Sequence, residues 1–232
     1  MRLLRAAVAR IPEAVPGAPI VAPAWMGESE RARWTRLNPG AQAAFSAGRS
    51  MVRELLESAT GIPARDWCVT AEPGCEPRAS APGLATPAPR VSLSHRLGWV
   101  AAAIAGTAIG VDVECIRASR SDPGERAALI LALEERPAWD ALPPVERESA
   151  LLTRWTAKEA WFKAAQSPDS AWDFRRVVAR PCAPDRSNVR VWIESTLHLA
   201  LCCADARALA DVGFEGVDPV ASSCTFWHVG QA

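Results

Sequence analysis

The chain has 232 residues, with 26 Lys and Arg against 26 Asp and Glu and a formal charge of zero, so electrostatic capture of a polyanionic nucleic acid is not expected and any basic site is local. With 49% hydrophobic residues it can bury a sizeable core, which excludes disorder as its main state. The longest uncharged apolar run lies between Arg96 and Asp112 and falls short of the ~20 residues that span a bilayer, so no membrane span is expected. At the N-terminus Arg2, Arg5 and Arg10 among apolar residues imitate a signal peptide. Glu13 and then Pro16, Pro19 and Pro23 interrupt it, and a cytoplasmic location is expected.

Asn38 followed by Pro39 reads as an N-cap and first helical position, and Ala41, Phe45, Met51, Val52, Leu55, Leu56 and Ala59 then recur near a 3.6 period until Gly61. Trp67 to Ala71 reads as a short strand, and the proline-rich stretch 72–90 as a loop. Val91 to Ser94 reads as a strand. Trp99 to Ala105 is open between helix and strand, and a hairpin across Gly106-Thr107 to the alternating segment Ala108 to Glu114 is favoured. Asp122-Pro123 opens a helix expected to reach about Glu135. Pro143-Pro144 starts another, over Val145 to about Ala165, with Leu151, Leu152, Trp155 and Phe162 as its buried stripe. Strands are expected at Phe174 to Ala179, Val189 to Glu194, Leu197 to Ala204 and Cys224 to Val229. The fold class is therefore α+β: two similar halves, 1–107 and 108–232, each a long helix with a few strands rather than alternating βαβ units.

Seven cysteines, an odd number without a Cys-x-x-Cys pair, suggest neither a disulfide framework nor a zinc site. Lysine usage is more informative. The chain has 24 Arg but only Lys158 and Lys163, which leaves lysine only where an ammonium is needed or by chance clustering.

Three segments hold the chemistry-bearing residues. In Gly110-Val111-Asp112-Val113-Glu114, strand alternation puts both carboxylates on one face, either as a solvent-facing edge or as a site for a hard divalent cation such as Mg²⁺. In Trp155-Thr156-Ala157-Lys158-Glu159-Ala160-Trp161-Phe162-Lys163-Ala164, helical spacing aligns Trp155, Glu159 and Lys163. That places an acid and an ammonium one turn apart, as a surface ion pair or as a pair facing an anionic substrate. In Ser92-Leu93-Ser94-His95-Arg96, a strand ends at one of three histidines, with an arginine beside it that could also bind an oxyanion.

Together these three segments, in this order and spacing, resemble the long, pseudo-dimeric class of 4′-phosphopantetheinyl transferases that activate polyketide, peptide and siderophore synthetases. Phe45-Ser46-Ala47-Gly48-Arg49 resembles the Phe-x-x-Gly-Arg segment of the same family, so the likeness covers most of residues 31–165. It implies two α/β halves with coenzyme A bound in the cleft between them, the second half carrying the metal-binding acids. It also implies Asp112, Glu114 and Glu159 as Mg²⁺ ligands, Lys163 as a phosphate contact, and His95 and Arg49 as further coenzyme A contacts. Glu159 and Lys163 would be catalytic, Glu159 as metal ligand or as base. The partners implied are acyl or peptidyl carrier domains of polyketide, non-ribosomal peptide or fatty-acid synthases, served by a monomer with no nucleic acid or membrane involved. Two departures stand out: Gly74-Cys75-Glu76-Pro77-Arg78 replaces a Gly-Lys-Pro segment near the adenine, and Arg96 follows the Ser-His where serine is common. A coenzyme A or carrier-binding module without transfer activity and a metal-dependent phosphohydrolase are the alternatives.

Overall fold

The computed structural model describes residues 3–11, 21–70, 76–84, 87–116, 122–166, 172–218 and 220–232. The first half gives β1 (Leu4–Arg10), α1 (Glu28–Trp34), α2 (Pro39–Thr60), β2 (Cys68–Thr70), β3 (Arg78–Ser80), β4 (Arg90–Arg96) and β5 (Trp99–Ala105). The second gives β6 (Ile109–Cys115), α3 (Pro123–Ile130), α4 (Arg136–Asp140), α5 (Pro144–Ala164), β7 (Val177–Pro181), β8 (Val189–Glu194), β9 (Leu197–Cys203), α6 (Ala206–Asp211), β10 (Phe214–Glu215) and β11 (Ser223–Gln231). Six strands form one sheet in the order β10, β1, β5, β4, β3, β2, and five form another in the order β6, β9, β8, β11, β7. Neighbours pair antiparallel apart from β1 with β10, which run parallel. The fold is α+β, with a long helix on each of two mainly antiparallel sheets.

Strand alternation sets the layers. On β5, Val100, Ala102 and Ile104 pack with Val52, Leu55 and Leu56 of α2, while Ala101, Ala103 and Ala105 turn the other way, toward Val111, Val113, Leu199 and Leu201 of the second sheet. Ala200 and Cys202 then face Ala157 and Ala160 of α5. The sheets therefore face each other, with α2 outside one and α5 outside the other. Burying each large aliphatic side chain in these layers contributes about 1.5 to 3 kcal/mol.

Helix ends follow local chemistry. The Asn38 side chain accepts the Ala41 N–H at 3.0 Å, Pro39 takes the first turn where its missing N–H costs nothing, and Gly61 closes α2 in the left-handed region at φ 75°. On α5 the buried side is built largely of small and polar residues: Thr153, Thr156, Ala157, Lys158 and Ala160 join Leu151 and Phe162, whereas the expected Leu152 and Trp155 are only half-buried. The helix lies very close to β6. A Cβ on Gly110 would stand 1.9 Å from the Ala160 carbonyl oxygen and 2.7 Å from the Ala164 nitrogen.

Several expectations are corrected. β5 does not form a hairpin with β6 across Gly106-Thr107. It pairs with β4 through the two-residue turn Leu97-Gly98, whose φ values of 45° and 79° match the twist of a tight hairpin, and β1 takes its other edge. Gly106-Thr107 is where the chain passes between sheets. The helix from Pro123 stops at Ile130 because Leu131 turns extended and enters the core, and a 3₁₀ turn, Leu133–Glu135, follows. The presumed loop 72–90 contains β3, and Phe174–Arg176 is a 3₁₀ turn that leads into β7. Ala71 lies outside the described residues.

Candidate active site

The acids of β6 are positioned by a polar seam where β6 passes β4. Ser92, Ser94 and Arg96 share one face of β4 by their i, i+2 spacing. Ser92 Oγ accepts the Val111 N–H at 2.9 Å, Ser94 Oγ donates to Asp112 Oδ1 at 2.8 Å, and Arg96 Nε lies 3.0 Å from Glu114 Oε2. Val111 and Val113 point into the intersheet core, as alternation requires. The carboxylate face is not a solvent-facing edge, since Asp112 is 1% exposed and Glu114 8%.

Helix α5 brings the remaining groups. Lys163 Nζ donates to Asp112 Oδ1 at 2.6 Å and to the Val111 carbonyl at 3.2 Å, and it lies 3.6 Å from Glu159 Oε2, one turn back. Asp112 Oδ2 is buried without a hydrogen-bond partner. Burial, then the charge of Asp112, pushes Glu159 up to about 8 and Glu114 up to about 7. Burial alone would lower the Lys163 ammonium, but Asp112 and Glu159 outweigh it and hold the pKa above the usual lysine value. The cluster thus holds three acidic groups against two cations, and a buried acceptor oxygen in it has no donor.

A cleft of about 530 Å³ opens beside this cluster, lined among others by Phe45, Gly48 and Arg49 of α2, Leu93 and His95 of β4, and Glu159 and Lys163 of α5. A wider groove of about 950 Å³ runs along β1, α6 and β10, away from the acids. The chemistry selects the smaller one. His95 stands at the end of β4, its imidazole held below the usual histidine value by the protein packed against it and by the charges of Lys163 and Arg96. Arg49 reaches the cleft wall but donates to the Val69 carbonyl at 2.5 Å and lies over the Phe45 ring, and burial lowers its pKa to about 10. Gly74 and Cys75 lie outside the described residues. Glu76 of the same segment accepts both Arg90 Nε and Nη2, at 2.9 and 2.7 Å, and also the Gln166 amide at the end of α5.

Lysine scarcity has two separate explanations here. Lys158 is fully buried and donates to the carbonyls of Ile130 and Phe174 and to Glu135, so it anchors α5 and touches no part of the cleft. Sequence reasoning also missed Ser94 as the donor to Asp112 and Arg96 as the partner of Glu114. The i, i+2 spacing of Ser92, Ser94 and Arg96 on a strand was the available signal.

The segment that carries the acids and α5 is also the one that matches a family model. Residues 108–204 match the model of the 4′-phosphopantetheinyl transferase superfamily. The matched segment runs from just before β6 to the end of β9 and includes Asp112, Glu114, Glu159 and Lys163. His95, Arg49 and the β4 side of the seam lie before it. No curated protein matches the chain.

The donor set suits a hard divalent cation: carboxylate oxygens, an unpartnered buried acceptor, and two acids whose pKa values are raised by burial and then by the charge of Asp112. Among the described residues, however, no three His, Cys, Asp or Glu side chains are gathered into a metal cage. Such a cation would take one or two carboxylates here and fill its remaining positions with water and phosphate oxygens, which is how Mg²⁺ is usually held.

Proposed function

We propose that this protein transfers the 4′-phosphopantetheine group of coenzyme A to a serine hydroxyl of an apo carrier protein and releases 3′,5′-ADP. The observation that carries the reading is the meeting of Asp112 with Glu159 and Lys163, the latter two lining the cleft, in the segment that matches the superfamily.

In this reading the diphosphate of coenzyme A lies in the cleft against Lys163. Its ammonium, kept protonated by Asp112 and Glu159, neutralises charge on the phosphate that departs. Ser94 and Lys163 hold Asp112 in one orientation from two sides. The serine oxygen attacks the β-phosphorus, the bond from that phosphorus to the bridging oxygen breaks, and 3′,5′-ADP carries that oxygen away. Glu159 takes the hydroxyl proton. Its pKa raised to about 8 leaves only a minority ionised at neutral pH, and that ionised form is a stronger proton acceptor than an ordinary carboxylate. His95, at the cleft rim, adds a donor to the phosphates. Asp112 and Glu114 would hold Mg²⁺, which when bound neutralises the diphosphate and polarises the phosphorus.

The experiment is an incubation with coenzyme A, Mg²⁺ and apo carrier proteins of the polyketide, peptide and fatty-acid types, read by intact mass. One phosphopantetheine is added to at least one carrier, and Glu159→Gln lowers the rate about 100-fold or more, the range lost with a general base. Unmodified carriers throughout, or phosphate release from coenzyme A without a carrier, would overturn the reading.

A further inference from the structure

The seam between β4 and β6 has three rungs, and the third differs from the other two. Ser92 and Ser94 meet β6 through neutral hydroxyls, whereas Arg96 sets a full positive charge on the Glu114 carboxylate at 3.0 Å. The two cations of the cluster are also held differently. Lys163 is fixed by two hydrogen bonds, a short one to Asp112 and a longer one to the Val111 carbonyl, and its side chain is 22% exposed. Arg96 is tied through Nε to Glu114, its side chain is 45% exposed, and it leads into the Leu97-Gly98 turn, where the chain reverses at the surface. The Glu114 side chain is only 11% exposed, so it has little access to water in place of that guanidinium.

We infer that Arg96 is a built-in competitor for divalent cations: it occupies Glu114 when no metal is bound, and a cation takes that carboxylate only by displacing the guanidinium. The inference rests on the cation site of the proposed function and adds to it the residue that sets the site's affinity. Two physical effects act in the same direction. The carboxylate must give up a close ion pair, and the arriving dication must approach a positive charge that, even displaced, stays a few ångströms away, which costs on the order of tenfold in affinity even at the dielectric constant of water. Lys163 exerts the same repulsion but cannot leave as readily, because two acceptors hold it. Arg96 is therefore the adjustable element, and a residue without charge at this position gives a tighter cation site on an otherwise unchanged scaffold.

The test uses Mn²⁺ alone as probe, with free Mn²⁺ followed by electron paramagnetic resonance at low ionic strength, where screening is weak. Arg96→Ser binds Mn²⁺ on the order of tenfold more tightly than the wild type. Arg96→Lys, which keeps a charge on the strand, stays within a few-fold of the wild type. Glu114→Gln shrinks the gain, so that Arg96→Ser improves binding less in that background than in the wild type, because the ion pair no longer competes and only the repulsion between Arg96 and the cation is left to remove. If Arg96→Ser binds no more tightly than the wild type while Asp112→Asn weakens binding, the competition is refuted and the cation site stands. If neither the wild type nor Arg96→Ser binds Mn²⁺ at millimolar concentration, both the inference and the cation site are refuted.

Discussion

Two helices of nearly equal length, 22 residues in α2 and 21 in α5, lie on the outer faces of the two sheets, and the contacts beneath them differ in kind. Under α2 side chains meet side chains. A Cβ on Gly48 would find Leu93 and Val100 methyl groups at 3.2 and 3.3 Å, close enough to press but against atoms that can yield. Under α5, backbone approaches backbone at Gly110, and nothing there can move without shifting the helix or the strand. Buried charge follows the same division. Arg53 of α2 shares its donors among the carbonyls of Trp67 and Arg49 and the carboxylate of Glu30, while Lys158 joins α5 to the chain on either side of it through Ile130, Glu135 and Phe174. Both acids and ammonium of the site depend on the rigid contact. A helix that carries Glu159 and Lys163 to a strand that carries Asp112 must be fixed in depth, because a shift of one ångström turns a 2.6 Å hydrogen-bonded ion pair into a looser contact without the hydrogen bond.

The largest effect that tests this contrast is Gly110→Ala. It overpacks backbone against backbone, and it should cost about 3 kcal/mol in denaturant unfolding, with transfer activity lost in the fraction that remains folded. A cost below about 1 kcal/mol would mean that the α5 contact gives way as readily as the α2 contact. A second test concerns pH. The folded Glu159 holds its proton up to about pH 8, whereas an unfolded glutamate releases it near 4.5. The folded state therefore binds more protons across that interval, and wild-type stability, intact below pH 4.5, falls as pH rises toward 8. Glu159→Gln has no such proton to lose. Compared in the presence of a chelator, the two proteins should be similarly dependent on pH in acid, and the variant should gain steadily between pH 4.5 and 8; parallel curves would show that Glu159 is not held as described. The smallest effect is Gly48→Ala. Helix propensity gains about 1 kcal/mol from the substitution, and the displaced Leu93 and Val100 side chains give back a similar amount. The net change in unfolding free energy should stay within about 1 kcal/mol, the opposite of Gly110→Ala.

Much of this contrast is written in short-range sequence features. Asn38-Pro39 and Gly61 bound α2, Pro143-Pro144 starts α5, and the 3.6 period runs between them in each case. The alternation at 110–114 places Asp112 and Glu114 on one face, and the four-residue spacing of Glu159 and Lys163 places them on one stripe. What stayed hidden depends on distant partners. β1 reads as a leader-like run because nothing local shows that β5 and β10 wait on its two edges. The Pro123 helix stops early because Leu131 turns into the core, and Glu135 just beyond it pairs with Lys158, a residue 23 positions on. Lys158 itself reads as part of the chemistry because scarcity cannot distinguish an anchor from a ligand. Arg96 reads as an unexplained change because its partner, Glu114, lies on a strand of the other sheet.

The parallel pairing of β10 with β1 has a mechanical consequence. Phe214 and Glu215, reached only after the second sheet is nearly complete, fasten onto Ala6 and Ala7 near the start of the chain. The walls of the cleft are thus clasped at a second place, remote from Glu159 and Lys163. Neither wall can swing away on a single pivot, and heat that melts one should take the other with it in one transition.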